Sequence, residues 1–190
     1  PIKSSAASDV YKRQINNGVV EGDINAGGVA GAMAVESMLD PEEDIERVGD
    51  DSFSFHYETR AILLNCENRV PVTSKKDYAG GIVGRMDLGY ILDCRNYGNV
   101  ESTDGSYVGG IAGSSASTIR RSQSKCMASG KNFVGGIAGD GYNLTENLAF
   151  VSIGDGEMYC GAIAGRVDDE GEISSNRFVE NGSAGIDGVS

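Results

Sequence analysis

Tyr107-Val-Gly-Gly-Ile-Ala-Gly113 is one of five copies of a seven-residue phrase. The others are Asn25-Ala-Gly-Gly-Val-Ala-Gly31, Tyr78-Ala-Gly-Gly-Ile-Val-Gly84, Phe133-Val-Gly-Gly-Ile-Ala-Gly139 and Tyr159-Cys-Gly-Ala-Ile-Ala-Gly165. Counted at the fourth residue, Gly81, Gly110, Gly136 and Ala162 follow one another at 29, 26 and 26 residues, and Gly28 precedes Gly81 by 53. A period of this size means one supersecondary unit stacked on copies of itself. The repeated positions are Gly27, Gly28 and Gly31 in the first copy, and Tyr78, Gly80, Gly81, Ile82 and Gly84 in the second. They continue as Tyr107, Gly109, Gly110, Ile111 and Gly113, then Phe133, Gly135, Gly136, Ile137 and Gly139, then Tyr159, Gly161, Ile163 and Gly165.

Between the phrases a longer register recurs. Leu63, Cys66, Asn68 and Val72 occupy the offsets of Ile91, Cys94, Asn96 and Val100. Ile119, Ser122 and Ala128 follow the same spacing more loosely, as do Leu144, Asn147 and Ile153. Each unit therefore offers short runs rich in Val, Ile and Tyr, separated by Gly, Asn, Asp and Ser turn clusters. Runs of three to six residues are too short for helices, and each glycine inside a helix would cost about 1 kcal/mol relative to alanine. Propeller blades need about 40–45 residues, and seven leucines cannot fill a leucine-rich repeat. The expectation is an all-β fold: a parallel β-solenoid of five to six coils, spaced about 4.8 Å and forming a rod on the order of 25 Å long. Tyr78, Tyr107, Phe133 and Tyr159 should lie on one line, and Ile82, Ile111, Ile137 and Ile163 on another.

Composition narrows the function classes. The 28 Asp and Glu against 16 Lys and Arg leave a net charge of −12, a field that repels phosphate backbones and argues against nucleic-acid partners. No run of 18 apolar residues exists, so no segment reads as inserting into a bilayer. Glycine is abundant at 28 residues, yet proline occurs three times and no three-residue glycine period is present, which sets collagen aside.

Three stretches fall outside the rhythm. Residues 1–14 resemble translated sequencing-adapter read-through of the kind found on metagenomic fragments, and read as a non-native or disordered leader. Residues 15–190 read as one solenoid domain. Within it, residues 32–60 form an acidic insertion carrying Glu36, Asp40, Glu42, Glu43, Asp44, Glu46, Asp50 and Asp51. Met33, Val35, Met38 and Leu39 are expected to give a short helical turn ending near Pro41, and Ser52 to Tyr57 a strand. Residues 166–190 read as an irregular terminal coil.

The aromatic followed by Gly-Gly-Ile-Ala-Gly at this interval resembles the GLUG-type repeats of bacterial surface proteins. Those repeats belong to adhesin-like proteins and to the non-catalytic parts of immunoglobulin A-cleaving metallopeptidases. The resemblance covers Ile15 to Gly165. It departs in the first copy, which lacks the aromatic, and at Ala162, which replaces a glycine. It implies an extracellular or cell-surface location and a stalk, display or adhesion role, with neighbouring repeats or domains of a longer chain, a host protein or a glycan as partners. It also leaves open a substrate-positioning region of a secreted metallopeptidase.

No catalytic constellation and no cofactor site is read from the residues. His56 is the only histidine, so no His-Glu-x-x-His zinc site can be built from this chain. Cys66, Cys94, Cys126 and Cys160 match no zinc ribbon. Cys66 and Cys94 share a register position and read as stacked, buried small residues, with a disulfide as the lesser alternative. Asp168-Asp169-Glu170 and Asp155-Gly-Glu157 read as solvated turns rather than calcium ligands. Arg85 and Arg166 follow the phrase in two copies only, which makes no repeated basic groove. A carbohydrate-binding or carbohydrate-processing β-helix is the rival reading. It would need clustered carboxylates, or an aromatic line turned to solvent. The aromatics are expected instead inside the coil or over a sheet edge.

Overall fold

Short apolar runs cannot satisfy their own backbone groups, so each must pair with an equivalent run. In the computed structural model, which describes residues 9–34, 61–154, 156–179 and 182–189, every such pairing is parallel and joins one unit to the next. The described residues form a parallel β-solenoid with strands and no helix. About four regular, contiguous turns span residues 61–167. A preceding coil at 9–33 and a following partial coil at 173–189 extend the same register.

The coil at 90–115 shows the plan. Side one is Tyr90–Leu92; side two is Arg95–Asn96 and Val100–Ser102 around a corner; side three is Val108–Gly109; side four is Ala112–Ser115. Sides one and four become six-stranded sheets, and side three a five-stranded sheet. Leu63, Ile91, Ile119, Leu144 and Ile173 are aligned along side one. The phrase isoleucines are joined directly: Ile82 N–H donates to Ile111 O at 2.9 Å, Ile111 to Ile137 at 2.9 Å and Ile137 to Ile163 at 2.8 Å. Both lines are buried, apart from the partly buried Ile173 at the end of the first, and meet in one core with Met33, Val83 and Met86. Each fully buried aliphatic side chain contributes about 1.5–3 kcal/mol by leaving water.

Two polar ladders run inside this apolar frame. In the first, each backbone N–H is received by the side chain of the next coil. Cys66 N–H donates to Cys94 Sγ (3.4 Å), Cys94 to Ser122 Oγ (3.2 Å), Ser122 to Asn147 Oδ1 (2.9 Å) and Asn147 to Asn176 Oδ1 (2.9 Å). In the second, Asn16 donates to Asn68 (2.9 Å) and Asn68 to Asn96 (2.8 Å) through their side-chain amides. Asn96 also donates to Gly98 O at 2.8 Å and accepts from Gly98 N–H at 3.1 Å, which turns the chain at the corner of side two. A Cβ at Gly98 would lie 1.8 Å from Val70 O, so the corner needs glycine. One coil further, Ser124 and Cys126 take these places and the corner opens into a single strand, Gln123–Ser129.

The phrase itself is a tight fold-back. Cβ atoms added at Gly84, Gly113, Gly139 and Gly165 would lie 2.2–2.8 Å from the carbonyl oxygens of Tyr78, Tyr107, Phe133 and Tyr159, so the phrase's seventh residue sits against its first. Its second glycine meets the coil above: a Cβ at Gly81 would lie 2.2 Å from Gly110 O and 2.3 Å from Asn96 Cγ. Ala162 is accommodated where the register position of Asn96 is taken, in the next coil, by Phe178, which is exposed.

Three boundaries differ from the sequence reading. The leader is structured from Asp9: Asp9–Lys12 pairs with Ala61–Leu64, whose free edge offers unpaired N–H and C=O groups to any β-competent run. Ala32 and Met33 belong to side four of the first coil, paired with Arg85 and Met86, so the insertion starts later. Met33 is in a strand rather than in the expected helical turn, held there by ladder bonds and a buried side chain. The rest of the insertion, with the expected helical turn, the expected strand and His56, lies outside the described residues. The terminal segment is more regular than expected: Arg166 and Val167 complete a regular coil, and Ile173–Ser174, Arg177–Phe178 and Ile186–Val189 continue its register.

Candidate functional site

Eleven non-glycine residues among those described have a positive φ, and they fall on two axial lines. One line is Arg13, Asn65, Asp93, Arg121, Glu146 and Ser175; the other is Asn25, Tyr78, Tyr107, Phe133 and Tyr159. A left-handed residue bearing a side chain costs roughly 1–2 kcal/mol, so each line needs a compensation. These two corners also carry the side chains that repeat on the outside of the coil.

On the second line the compensation is stacking. Ring centroids are 4.9 Å apart for Tyr78 and Tyr107, 4.7 Å for Tyr107 and Phe133, and 4.9 Å for Phe133 and Tyr159, with interplanar angles of 18°, 3° and 12°. That spacing is the sheet repeat, so each ring lies flat on the next. Arg85 reaches over Tyr78 at 5.6 Å and Arg166 over Phe133 at 5.0 Å. All four rings are half-buried. The aromatics thus lie neither inside the core nor open to solvent. Their faces are covered by one another, which closes the ladder's length to a sugar ring. Burial pushes the Tyr107 phenol above its ordinary value.

The stack predicts a specific pattern of loss. Tyr107→Phe should be nearly neutral, because Phe133 already fills the equivalent place. Tyr107→Ala removes two stacked pairs and should cost about 2 kcal/mol. Urea denaturation of the two variants beside the parent measures the difference.

The first line is a charged groove of about 500 Å³ running along the axis between sides one and two. Asp93, Arg95, Arg121, Gln123, Glu146 and Arg177 line it, from successive coils. Arg121 clasps Asp93 with two bonds of 2.8 and 2.9 Å, and Arg120 pairs with Glu146. Hydrogen bonding to Arg121 holds the Asp93 carboxyl below the usual carboxylate range. On side four, Arg166 clasps Asp140 of the preceding coil at 2.9 and 2.7 Å.

Comparison with protein-family models, with curated proteins and with solved structures returned no match, so the functional reading rests on the chain's own residues.

The repeat-phrase residues from Gly27 to Gly165 are brought together by the structure, as ladders of one architectural device. Cys66, Cys94, Cys126 and Cys160 are free thiols. Hydrogen bonding with Cys66, reinforced by burial, holds the Cys94 thiol far above its ordinary range. Native protein treated with iodoacetamide near neutral pH should therefore leave Cys94 unmodified, while denatured protein is alkylated there; peptide mass mapping separates the two results. The run Asp168-Asp169-Glu170 makes a turn in which Glu170 N–H donates to Asp168 Oδ1 at 2.9 Å. No three His, Cys, Asp or Glu residues among those described converge as a metal-holding group. Asp155 lies outside the described residues. The groove residues escape a reading by motif. The only signal available is the column immediately before Cys66, Cys94, Ser122 and Asn147, which is polar or charged in each coil.

Proposed function

We propose that this chain is a non-enzymatic, extracellular repeat segment of a bacterial adhesin-like surface protein, serving as a rigid spacer or display element. The observation that supports it most is the coil-to-coil register that the described residues between Asp9 and Val189 keep, in which the sheets of successive coils share one axis. A stack held by inter-coil backbone bonds, an isoleucine line, an aromatic line and two polar ladders resists bending. Its length scales with the number of coils. The carboxylates at the surface serve this reading as solvating groups: Asp87, Asp93, Asp140 and Glu146 are engaged by arginines. The GLUG-type resemblance supplies the surface location.

Two measurements test the reading. Fluorophores placed on the first and last coils should report one narrow distance distribution, insensitive to viscosity; a broad distribution contradicts a rigid element. Purified chain incubated with neutral and acidic polysaccharides should release no new reducing ends. Turnover that copurifies with the folded chain would replace this reading with an enzymatic one.

A further inference from the structure

We propose that the charged groove between sides one and two binds a linear carboxylated glycan, a polyuronate chain lying along the solenoid axis. The inference is independent of the spacer reading, since a rigid element serves with or without a ligand.

Charge is the first argument. The lining holds Arg95, Arg121 and Arg177 against Asp93 and Glu146, a local balance of +1 on a chain of −12. An anionic polymer, opposed by the chain's net charge, finds a locally favourable approach along this corner. Pairing is the second. Arg121 is committed to Asp93 and Arg120 to Glu146, whereas Arg95 and Arg177 are in no ion pair among the described residues. Both have exposed side chains. Arg95 is near enough to Asp93 to help hold that carboxyl down, but with no close ion pair its guanidinium keeps a planar fork that matches a further carboxylate.

Shape is the third. Arg95, Gln123, Leu148 and Arg177 stand in one register line, which Glu67, held by Arg69, continues below Arg95. The two arginines without a close ion pair are therefore three coils apart, on the order of 14 Å. An extended polymer with a carboxylate on every unit satisfies both at once; a small anion meets one. Between them Gln123 and the outer edges of Asp93 and Glu146 offer acceptors and a donor for hydroxyl groups.

The backbone excludes a peptide as the better ligand. Main-chain N–H groups at this corner are already consumed: Asn65 donates to Leu92 O, Asp93 to Arg120 O, Arg121 to Thr145 O and Glu146 to Ser174 O. An acidic peptide would find no strand edge to extend. Recognition here falls to side chains.

The test is calorimetric titration of the whole chain with oligogalacturonate at low salt, in the absence of divalent cations. Saturable binding is expected, weakening as salt is raised. Arg95→Gln combined with Arg177→Gln should lower the affinity about tenfold or more, with an unchanged thermal melt because both side chains are exposed. Arg69→Gln, outside the groove lining, should leave binding intact. Dextran of matched length should not bind. The proposal is overturned if oligogalacturonate fails to bind, if the double variant binds as tightly as the parent, or if poly-L-glutamate binds equally well.

Discussion

Gly110→Val is expected to destabilise the protein by about 4 kcal/mol or more, a large share of the 5–15 kcal/mol that holds an ordinary domain folded. A Cβ built on Gly110 lies 2.2 Å from Gly136 O and 2.1 Å from Ser124 Oγ. The first of these atoms is backbone of the next coil, and Gly136 is tied onward by its own N–H, which donates to Gly161 O at 3.3 Å. Relief therefore requires separating two coils, and the separation breaks the Gly110 N–H bond to Gly135 O and the Ile111 N–H bond to Ile137 O. Gly18→Ala provides the contrast. The nearest atom to an added Cβ there is Asn16 Oδ1 at 3.8 Å, and the Gly18 N–H bond to that oxygen is retained. Its effect should stay within about 0.5 kcal/mol. Urea denaturation followed by circular dichroism distinguishes the pair, and equal midpoints would show that the coils are not in close contact at Gly110.

Asn96→Ala is expected to cost about 3 kcal/mol, through hydrogen bonds rather than volume. The Asn96 side chain is fully buried, and among its hydrogen bonds it donates to Gly98 O, accepts from Gly98 N–H and accepts from Asn68 Nδ2. Truncation strands both polar groups of Gly98 beneath the corner, where water does not reach, because Gly98 is itself buried. Asn68 keeps its bond to Val70 O and suffers less. Tyr97→Ala, one residue along but exposed, should lose under about 1 kcal/mol. Amide exchange adds a local readout: Gly98 N–H should exchange far faster in Asn96→Ala. A slow-exchanging Gly98 in that variant would contradict the assigned role of the asparagine.

The isoleucine and aromatic lines are legible in the residues because their side chains repeat: Ile82 and Ile111, or Tyr78 and Tyr107, declare a shared position by identity. The column of Cys66 and Cys94 is legible for the same reason. Its continuation through Ser122 and Asn147 is harder to see, because what is conserved between coils is a buried acceptor for the preceding coil's N–H, and a thiol, a hydroxyl and an amide can each supply it. The groove is hidden for a deeper reason. Asn65, Asp93, Arg121, Glu146 and Ser175 share only polarity and a left-handed backbone, and Arg, Glu and Ser do not announce that conformation as glycine, asparagine or aspartate would. The aromatics mislead in the same way, since Tyr and Phe are poor choices for positive φ until ring stacking across coils offsets the strain. The strand at Asp9–Lys12 is a tertiary effect: the free edge of Ala61–Leu64 recruits it, and its own composition does not reveal this.

The most direct test of the stacked-coil architecture is a methyl–methyl nuclear Overhauser experiment on protein labelled at the isoleucine δ-methyl groups. Strong cross-peaks are expected for Ile82 with Ile111, Ile111 with Ile137 and Ile137 with Ile163, because these buried residues are joined coil to coil by main-chain bonds of 2.8–2.9 Å. Ile82 and Ile163, three coils apart, should show none. Absence of the three neighbour peaks, or a peak between Ile82 and Ile163, would contradict the solenoid and every ladder derived from it.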